Sequence, residues 1–290
     1  MSASAAEGLL LMGAVAYAPK VVTIWEGFKA FFARNGLAFD YVLYSNYESQ
    51  VEAQFDGHIH LAWNSPLAWV RARRIAQARG QQVAAVAMRD TDCDLQSVIV
   101  VRADSSIASL AELRGRRLGV GAIDSPQATL IPLDHLRQAG LVSGRDLHVR
   151  RFDVLGGKHG DHVGGEREAA LALLGGEVDA CCMIDGNLLA FGTDGTLPAG
   201  SVRVLARTGA FDHCNFSSSP GAPAALVERF VALLLAMRWD DAEVRPLLEL
   251  EGLRAWRPGR TSGYALLERA VDDDAFYSHD GRIIASDYRY

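Results

Sequence analysis

The sequence predicts an α/β protein of two lobes, each built on a mainly parallel sheet flanked by helices, with a ligand cleft between the lobes. Three observations predict it. Short apolar runs alternate with amphipathic helical stretches along nearly the whole chain, the pattern that parallel sheets require. At 290 residues the chain is long for one core and suits two. The alternation restarts after Arg102, and a strand near residue 203 leads back, so residues 1–102 plus 204–290 read as lobe I and 103–203 as lobe II. Two crossings make a hinge that can close around a ligand.

The elements follow from local signals. Leu9 to Ala16 is an apolar run that reads as a first buried strand. Thr23 to Asn35 has helical spacing and stops at Gly36, and Phe39 to Tyr44 is a strand. Tyr47 to Phe55 is a short helix ended by Gly57, and a buried strand follows through Leu61 to Trp63. Ser65 as N-cap and Pro66 at the first helical position start a helix that runs to Arg79 and exits at Gly80. Val83 to Met88 and Gln96 to Arg102 are strands separated by an acidic turn, Arg89 to Asp94. In the second lobe, Ile107 to Leu113 reads as a short helix and Leu118 to Ala122 as a strand. Asp124-Ser125-Pro126 opens a helix to about Gln138, and His148 to Phe152 is a strand. A glycine-rich loop, Gly156 to Gly165, precedes a helix from Glu166 to Leu174 that Gly175-Gly176 closes. Val178 to Ile184 and Ser201 to Ala206 are strands, and helices near Pro223–Met237, Ala242–Glu249 and Tyr264–Val271 complete the chain.

Composition narrows the function classes. A net charge of −6 provides no basic surface for nucleic acid or acidic membranes. No apolar run reaches the roughly 18 residues of a membrane span. The first apolar run ends in Ala14-Val15-Ala16, but no Lys or Arg precedes Lys20, so the basic region of an export signal is missing and a cytoplasmic location is expected. Cys93, Cys181, Cys182 and Cys214 have no C-x-x-C spacing and are expected as reduced thiols.

The most telling segment runs from Phe55 to Val70, where a strand turns at Asn64-Ser65-Pro66 into a helix. That turn leaves backbone N–H groups at the carboxyl end of a strand, where open α/β sheets bind ligands. Phe55-Asp56-Gly57-His58-Ile59-His60-Leu61-Ala62-Trp63 resembles the "G-x-x-D-L-A-W" strand of phosphate/phosphonate-type periplasmic solute-binding proteins. Ser105-Ser106-Ile107, Leu110 to Gly115 and Leu118-Gly119-Val120 resemble the opening of that family's second lobe, and Gly175 to Ala180 a later segment of it. The likeness covers roughly residues 10 to 235 and implies the type 2 periplasmic-binding-protein fold. It further implies a small polar ligand, zwitterionic or phosphonate/phosphate-like, and an ABC permease partner if the chain is exported. Ser65-Pro66-Leu67-Ala68-Trp69 stands where members show "G-P-x-x-Y", and Ser125-Pro126-Gln127-Ala128-Thr129 where they show "S-T-S-G". Gly156-Gly157-Lys158-His159 stands for "S-G-S-H", and Asp185 falls where the family places an acid that meets a ligand's amine.

The expected ligand-binding residues are Tyr17, Asn64, Ser65, Trp69, Ser125, Gln127, His159, Asp185 and Asn187. The loops around them carry more carboxylates than cations, which disfavours a dianion: two like charges 4 Å apart cost about 4 kcal/mol at an effective dielectric of 20. Cys93, His159, His162, Cys182 and Cys214 form a second candidate set, of the ligand types that hold zinc or iron, though none lies at a recognised metal spacing. His58 and His60 share one side of a strand and read as packing residues. The neighbours His213 and Cys214 are expected to diverge rather than pair as base and nucleophile. A cytoplasmic enzyme on the same scaffold, using these thiols and imidazoles on a small metabolite, is the alternative to solute binding.

Overall fold

The computed structural model describes residues 8–160 and 164–290. In chain order the elements are β1 (Leu10–Val15), α1 (Lys20–Arg34), β2 (Phe39–Tyr44), α2 (Tyr47–Phe55), β3 (Leu61–Asn64), α3 (Pro66–Arg79), β4 (Ala84–Arg89), β5 (Ser97–Arg102), β6 (Arg117–Val120), α4 (Ile131–Gln138), β7 (His148–Arg151), α5 (Glu166–Leu174), β8 (Ala180–Ile184), α6 (Asp185–Thr193), β9 (Val202–Arg207), β10 (Asn215–Ser218), α7 (Ala224–Leu235), α8 (Arg245–Glu251), β11 (Trp256–Pro258) and α9 (Ala265–Asp273). The expected helix from Ile107 is only a 3-10 turn, Leu110–Leu113.

The chain forms two compact units. One holds the residues up to Cys93, Asp212–Gly263 and His279–Gly281; the other holds Asp94–Phe211, Tyr264–Ser278 and Arg282–Tyr290. The chain thus passes between units at 93/94 and 211/212, where the sequence reading places the crossings at 102/103 and 203/204, and again at 263/264, 278/279 and 281/282. Strand pairing accounts for the difference. β5 and β9, read as belonging to or leading into lobe I, pair with each other, and β5 also pairs with β8, so both are part of the second sheet. The α9 segment likewise packs on α4 rather than with the first unit.

The first unit's sheet has the order β11-β4-β10-β3-β1-β2 and the second's β7-β6-β8-β5-β9. Both are mixed. In the first, β1 to β3 are parallel and β10 inserts antiparallel between β3 and β4, with β11 also reversed. In the second, β6, β7 and β8 are parallel and β5 is antiparallel to both of its neighbours.

Alternation along the strands sets the cores. In the first unit, Trp25, Phe28, Phe32, Trp63, Phe216, Phe230 and Trp256 pack with ring centroids 4.6–6.4 Å apart. Burying such a side chain stabilises by about 1.5–3 kcal/mol. In the second unit, Val98, Val100, Cys181 and Met183 point to one face and Ile99, Val101, Ala180 and Cys182 to the other, the period of two expected of β5 and β8.

The helix expected from Ser125 to Gln138 begins differently. Pro126–Leu130 is a π-helical turn, with Leu130 N–H bonded to Ser125 O and Ile131 N–H to Pro126 O, both five residues back. The cause is Pro132, which has no N–H to offer the Ala128 carbonyl. Gly121 N–H takes that carbonyl instead, at 3.2 Å. A side chain at 121 would not fit there, because its Cβ would stand 2.6 Å from Gly164 O.

Candidate functional site

Because β6, β7 and β8 run the same way, their carboxyl ends share one edge of the second sheet. Three helical segments begin at that edge: Pro126 after Ser125, α5 after Gly165, and α6 directly after β8. Such edges are where α/β sheets present loops to ligands.

Glu166, fully buried in the first turn of α5, is the centre of this edge. Its Oε1 accepts a hydrogen bond from Gln127 Nε2 at 3.2 Å. Its Oε2 accepts from Asn187 Nδ2 at 2.8 Å and from Ile184 N–H at 3.0 Å. A carboxylate at a helix N-terminus is also favoured by the helix dipole. Sequence reasoning brings Gln127 and Asn187 to this edge but misses Glu166. The available signal was an acid opening a helix just after Gly164-Gly165.

The remaining expected residues of this unit take distinct roles. Gln127 also donates to Gly160 O at 2.7 Å. Ser125 is buried and caps the π turn, its Oγ accepting from Ala128 N–H at 3.2 Å. His159 is fully buried with a left-handed backbone, φ 52°. Its N–H donates to Asp124 Oδ2 at 3.2 Å, which also accepts from Gly157 N–H at 2.6 Å and the Tyr288 hydroxyl at 3.3 Å. Asp124 therefore anchors the glycine-rich loop. Asp185, by contrast, is only half-buried, and its Oδ1 accepts from the adjacent Gly186 N–H at 2.9 Å.

In the first unit the expected residues are built into the structure. Asn64 donates to Ser217 Oγ at 2.5 Å and accepts from Gln50 Nε2 at 2.8 Å. Ser65 caps α3 through Ala68 N–H at 3.1 Å. Trp69 is 1% exposed with the Arg73 guanidinium over its ring, and Tyr17 packs against the aromatic core below Lys20. His60 Nδ1 accepts from Leu11 N–H at 3.0 Å, whereas His58 is exposed, and neither lies in the expected strand, since β3 begins at Leu61.

The expected metal residues are divided between the units, Cys93 and Cys214 in the first and His159 and Cys182 in the second. Cys182 lies in an apolar core face, where burial and then the nearby Glu166 charge push its thiol up, the reverse of a ready ligand. Cys93 is half-buried and its Sγ lies 3.5 Å from Arg89 O. His159 sits in the Asp124-anchored loop, and His162 lies outside the described residues. Among the described residues of this set, only Cys214 joins a group of three potential donors, with Asp92 and His213. His213 Nδ1 lies 3.1 Å from Cys214 Sγ, so these neighbours meet where divergence was expected. Both precede β10, so strand alternation does not separate them. Arg89 grips Asp92 through Nε and Nη2, at 2.6 and 2.9 Å. Burial opposes the charge on Asp92, but Arg89 and the His213 ring outweigh it and hold the carboxyl at about 2.

Two units, each a mixed sheet flanked by helices, give the α/β fold of the type 2 periplasmic binding proteins. The chain belongs to the family of ABC-transporter phosphonate periplasmic substrate-binding proteins, whose family model matches residues 15–264. Binding of a small polar solute is accordingly its class of function. PhnD1 from Prochlorococcus marinus, solved in complex with methylphosphonate, is 16% identical with a TM-score of 0.68, over 91% of this chain and 97% of that one. A Xanthomonas citri protein bound to ATP gives the same values. The aliphatic sulphonate-binding protein SsuA from Escherichia coli is 18% identical with a TM-score of 0.55, over 92% and 91% of the two chains. No curated protein matches the sequence. No described helix is long and apolar enough to cross a membrane.

Proposed function

We propose that the solute is zwitterionic and that its cationic group meets Asp185 at the carboxyl end of β8. The observation that carries this reading is the use of Gln127, Asn187 and Ile184 N–H as donors to Glu166. An internal carboxylate takes up donors that would otherwise face a ligand's oxyanion. What this edge of the second unit then presents is a half-exposed acid. An opposite charge about 4 Å from Asp185 gains on the order of 4 kcal/mol at an effective dielectric of 20, before desolvation. The relative solved with methylphosphonate supports an acidic ligand head of the phosphonate class, so an aminoalkylphosphonate is the ligand of choice for this reading.

Calorimetric titration with an aminoalkylphosphonate and with the alkylphosphonate of equal chain length tests it. The amine-bearing ligand binds at least about tenfold more tightly. Asp185→Asn removes that preference while leaving the thermal midpoint unchanged. Equal affinities for the two ligands would discard the zwitterion reading.

We place the chain in the cytoplasm, a reading supported by its four cysteines being thiols outside any disulfide. A permease partner belongs to the proposal only for an exported form. Fractionation of source cells with thiol trapping decides between the two.

A further inference from the structure

We infer that Asp92, His213 and Cys214 form a binding site for a zinc-like divalent cation in the first unit. Their donor atoms all lie within 4.8 Å of one another, the one such group of three among the described residues. All three side chains are at least nine-tenths buried. Asp92 ends a 3-10 turn that follows β4, and His213-Cys214 leads into β10, the neighbour of β4 in the sheet. The main chain locks the two segments together, with His213 N–H donating to Asp92 O at 2.8 Å. The donors therefore sit on fixed elements.

The two spacings from His213 Nδ1 are close to those around a tetrahedral ion. With metal–nitrogen and metal–oxygen bonds of about 2.05 Å and a metal–sulfur bond of about 2.3 Å, such an ion needs separations of about 3.5 Å between N and S and about 3.3 Å between N and O. His213 Nδ1 stands 3.1 Å from Cys214 Sγ and 3.6 Å from Asp92 Oδ1. Side-chain shifts of a few tenths of an ångström close both differences. Arg89 occupies only one lone pair on each Asp92 oxygen, so Oδ1 retains one for the ion.

Charge points the same way. Arg89 bridges two buried carboxylates, Asp92 and Glu251, the latter at 3.3 Å. With a neutral ring and thiol, the formal charges of Arg89, Asp92 and Glu251 sum to −1, a setting that favours a cation over an anion. A divalent ion that binds as the Cys214 proton leaves to solvent brings the cluster to neutrality. The thiolate and imidazole select a borderline-soft ion over magnesium or calcium.

The test uses the full chain, stripped of metal and titrated with Co2+ as the spectroscopic substitute for Zn2+. One Co2+ per chain is expected, with a thiolate-to-metal charge-transfer band that stoichiometric Zn2+ abolishes. Cys214→Ser removes the band and His213→Ala weakens binding by at least about tenfold, whereas Cys93→Ser changes neither. The band on the unaltered chain is a direct signature that does not depend on how any variant folds. Absence of a band at stoichiometric Co2+, or a band that survives Cys214→Ser in a chain with an unchanged circular dichroism spectrum, overturns the assignment.

Discussion

Gln127 and Glu166 share a hydrogen bond of 3.2 Å that ties the π turn after β6 to the start of α5. Glu166 draws on Asn187 and the Ile184 main chain through its other oxygen. Removing its carboxylate leaves three donors without their acceptor, at roughly 1–3 kcal/mol for each group that water cannot reach. Glu166→Ala should therefore destabilise the protein by about 3 kcal/mol, read from the urea midpoint. A loss under 1 kcal/mol would show that these donors find other partners.

Gly160 combines a left-handed backbone, φ 68°, with a close approach to Ser125. A Cβ at 160 would lie 2.3 Å from Ser125 Oγ. Gly160→Ala forces the loop away from the π turn and breaks the Gln127 bond to the 160 carbonyl. A destabilisation of about 1–3 kcal/mol is expected, together with weaker solute binding. Calorimetry and thermal melts on one preparation measure both, and an unchanged affinity would detach this loop from the site.

The thiols should differ in reactivity. Burial pushes Cys181 and Cys182 up, aided by the charge of Glu166, so both stay protonated at neutral pH. Cys93 is the partly exposed one of the four. Brief iodoacetamide treatment at pH 8 should label Cys93 first, with Cys181 and Cys182 labelled only in denaturant. Peptide mapping by mass spectrometry gives the order.

Asp92 makes stability depend on acid. Its folded-state carboxyl is held at about 2 against an ordinary 3.8. A depressed carboxyl contributes stability above its unfolded value and loses it as the pH falls toward its folded one. The window is thus about pH 4 to 2, and the contribution lost across it is on the order of 2 kcal/mol. In urea titrations, the gap in stability between the unaltered chain and Asp92→Asn should be wide at pH 5 and narrow toward pH 2. A gap that stays constant with pH would rule out ionisation of Asp92 as its source.

Much of the scaffold is legible from local signals. α2, α3 and α5 span the predicted residues, because Asn46 and Ser65 cap two of them and Gly80 supplies a left-handed exit. β10 and β11 escape notice because Asn215-Phe216-Ser217-Ser218 and Trp256-Arg257-Pro258 are short, carry little apolar pattern and owe their state to pairing with β3 and β4. α6 escapes for a similar reason, since no side chain caps its start. The Glu166 cluster draws on positions 127, 166, 184 and 187, whose convergence is set by parallel strand register and not by any spacing in the chain. The meeting of His213 with Asp92 has the same origin, in the pairing of β4 with β10.

Pro132 acts on the Gln127–Glu166 edge from five residues along the chain. A π turn takes in one residue more than an α-helical turn, and one residue corresponds to about 100° of rotation about a helix axis. Everything on the amino-terminal side of Pro132 is therefore held at an angular phase that an unbroken helix would not give it. Gln127 faces Glu166 in that phase, and the Ala128 carbonyl faces Gly121. The orientation of this sheet edge is in this sense set from within the helix behind it, by a residue whose contribution is a missing hydrogen.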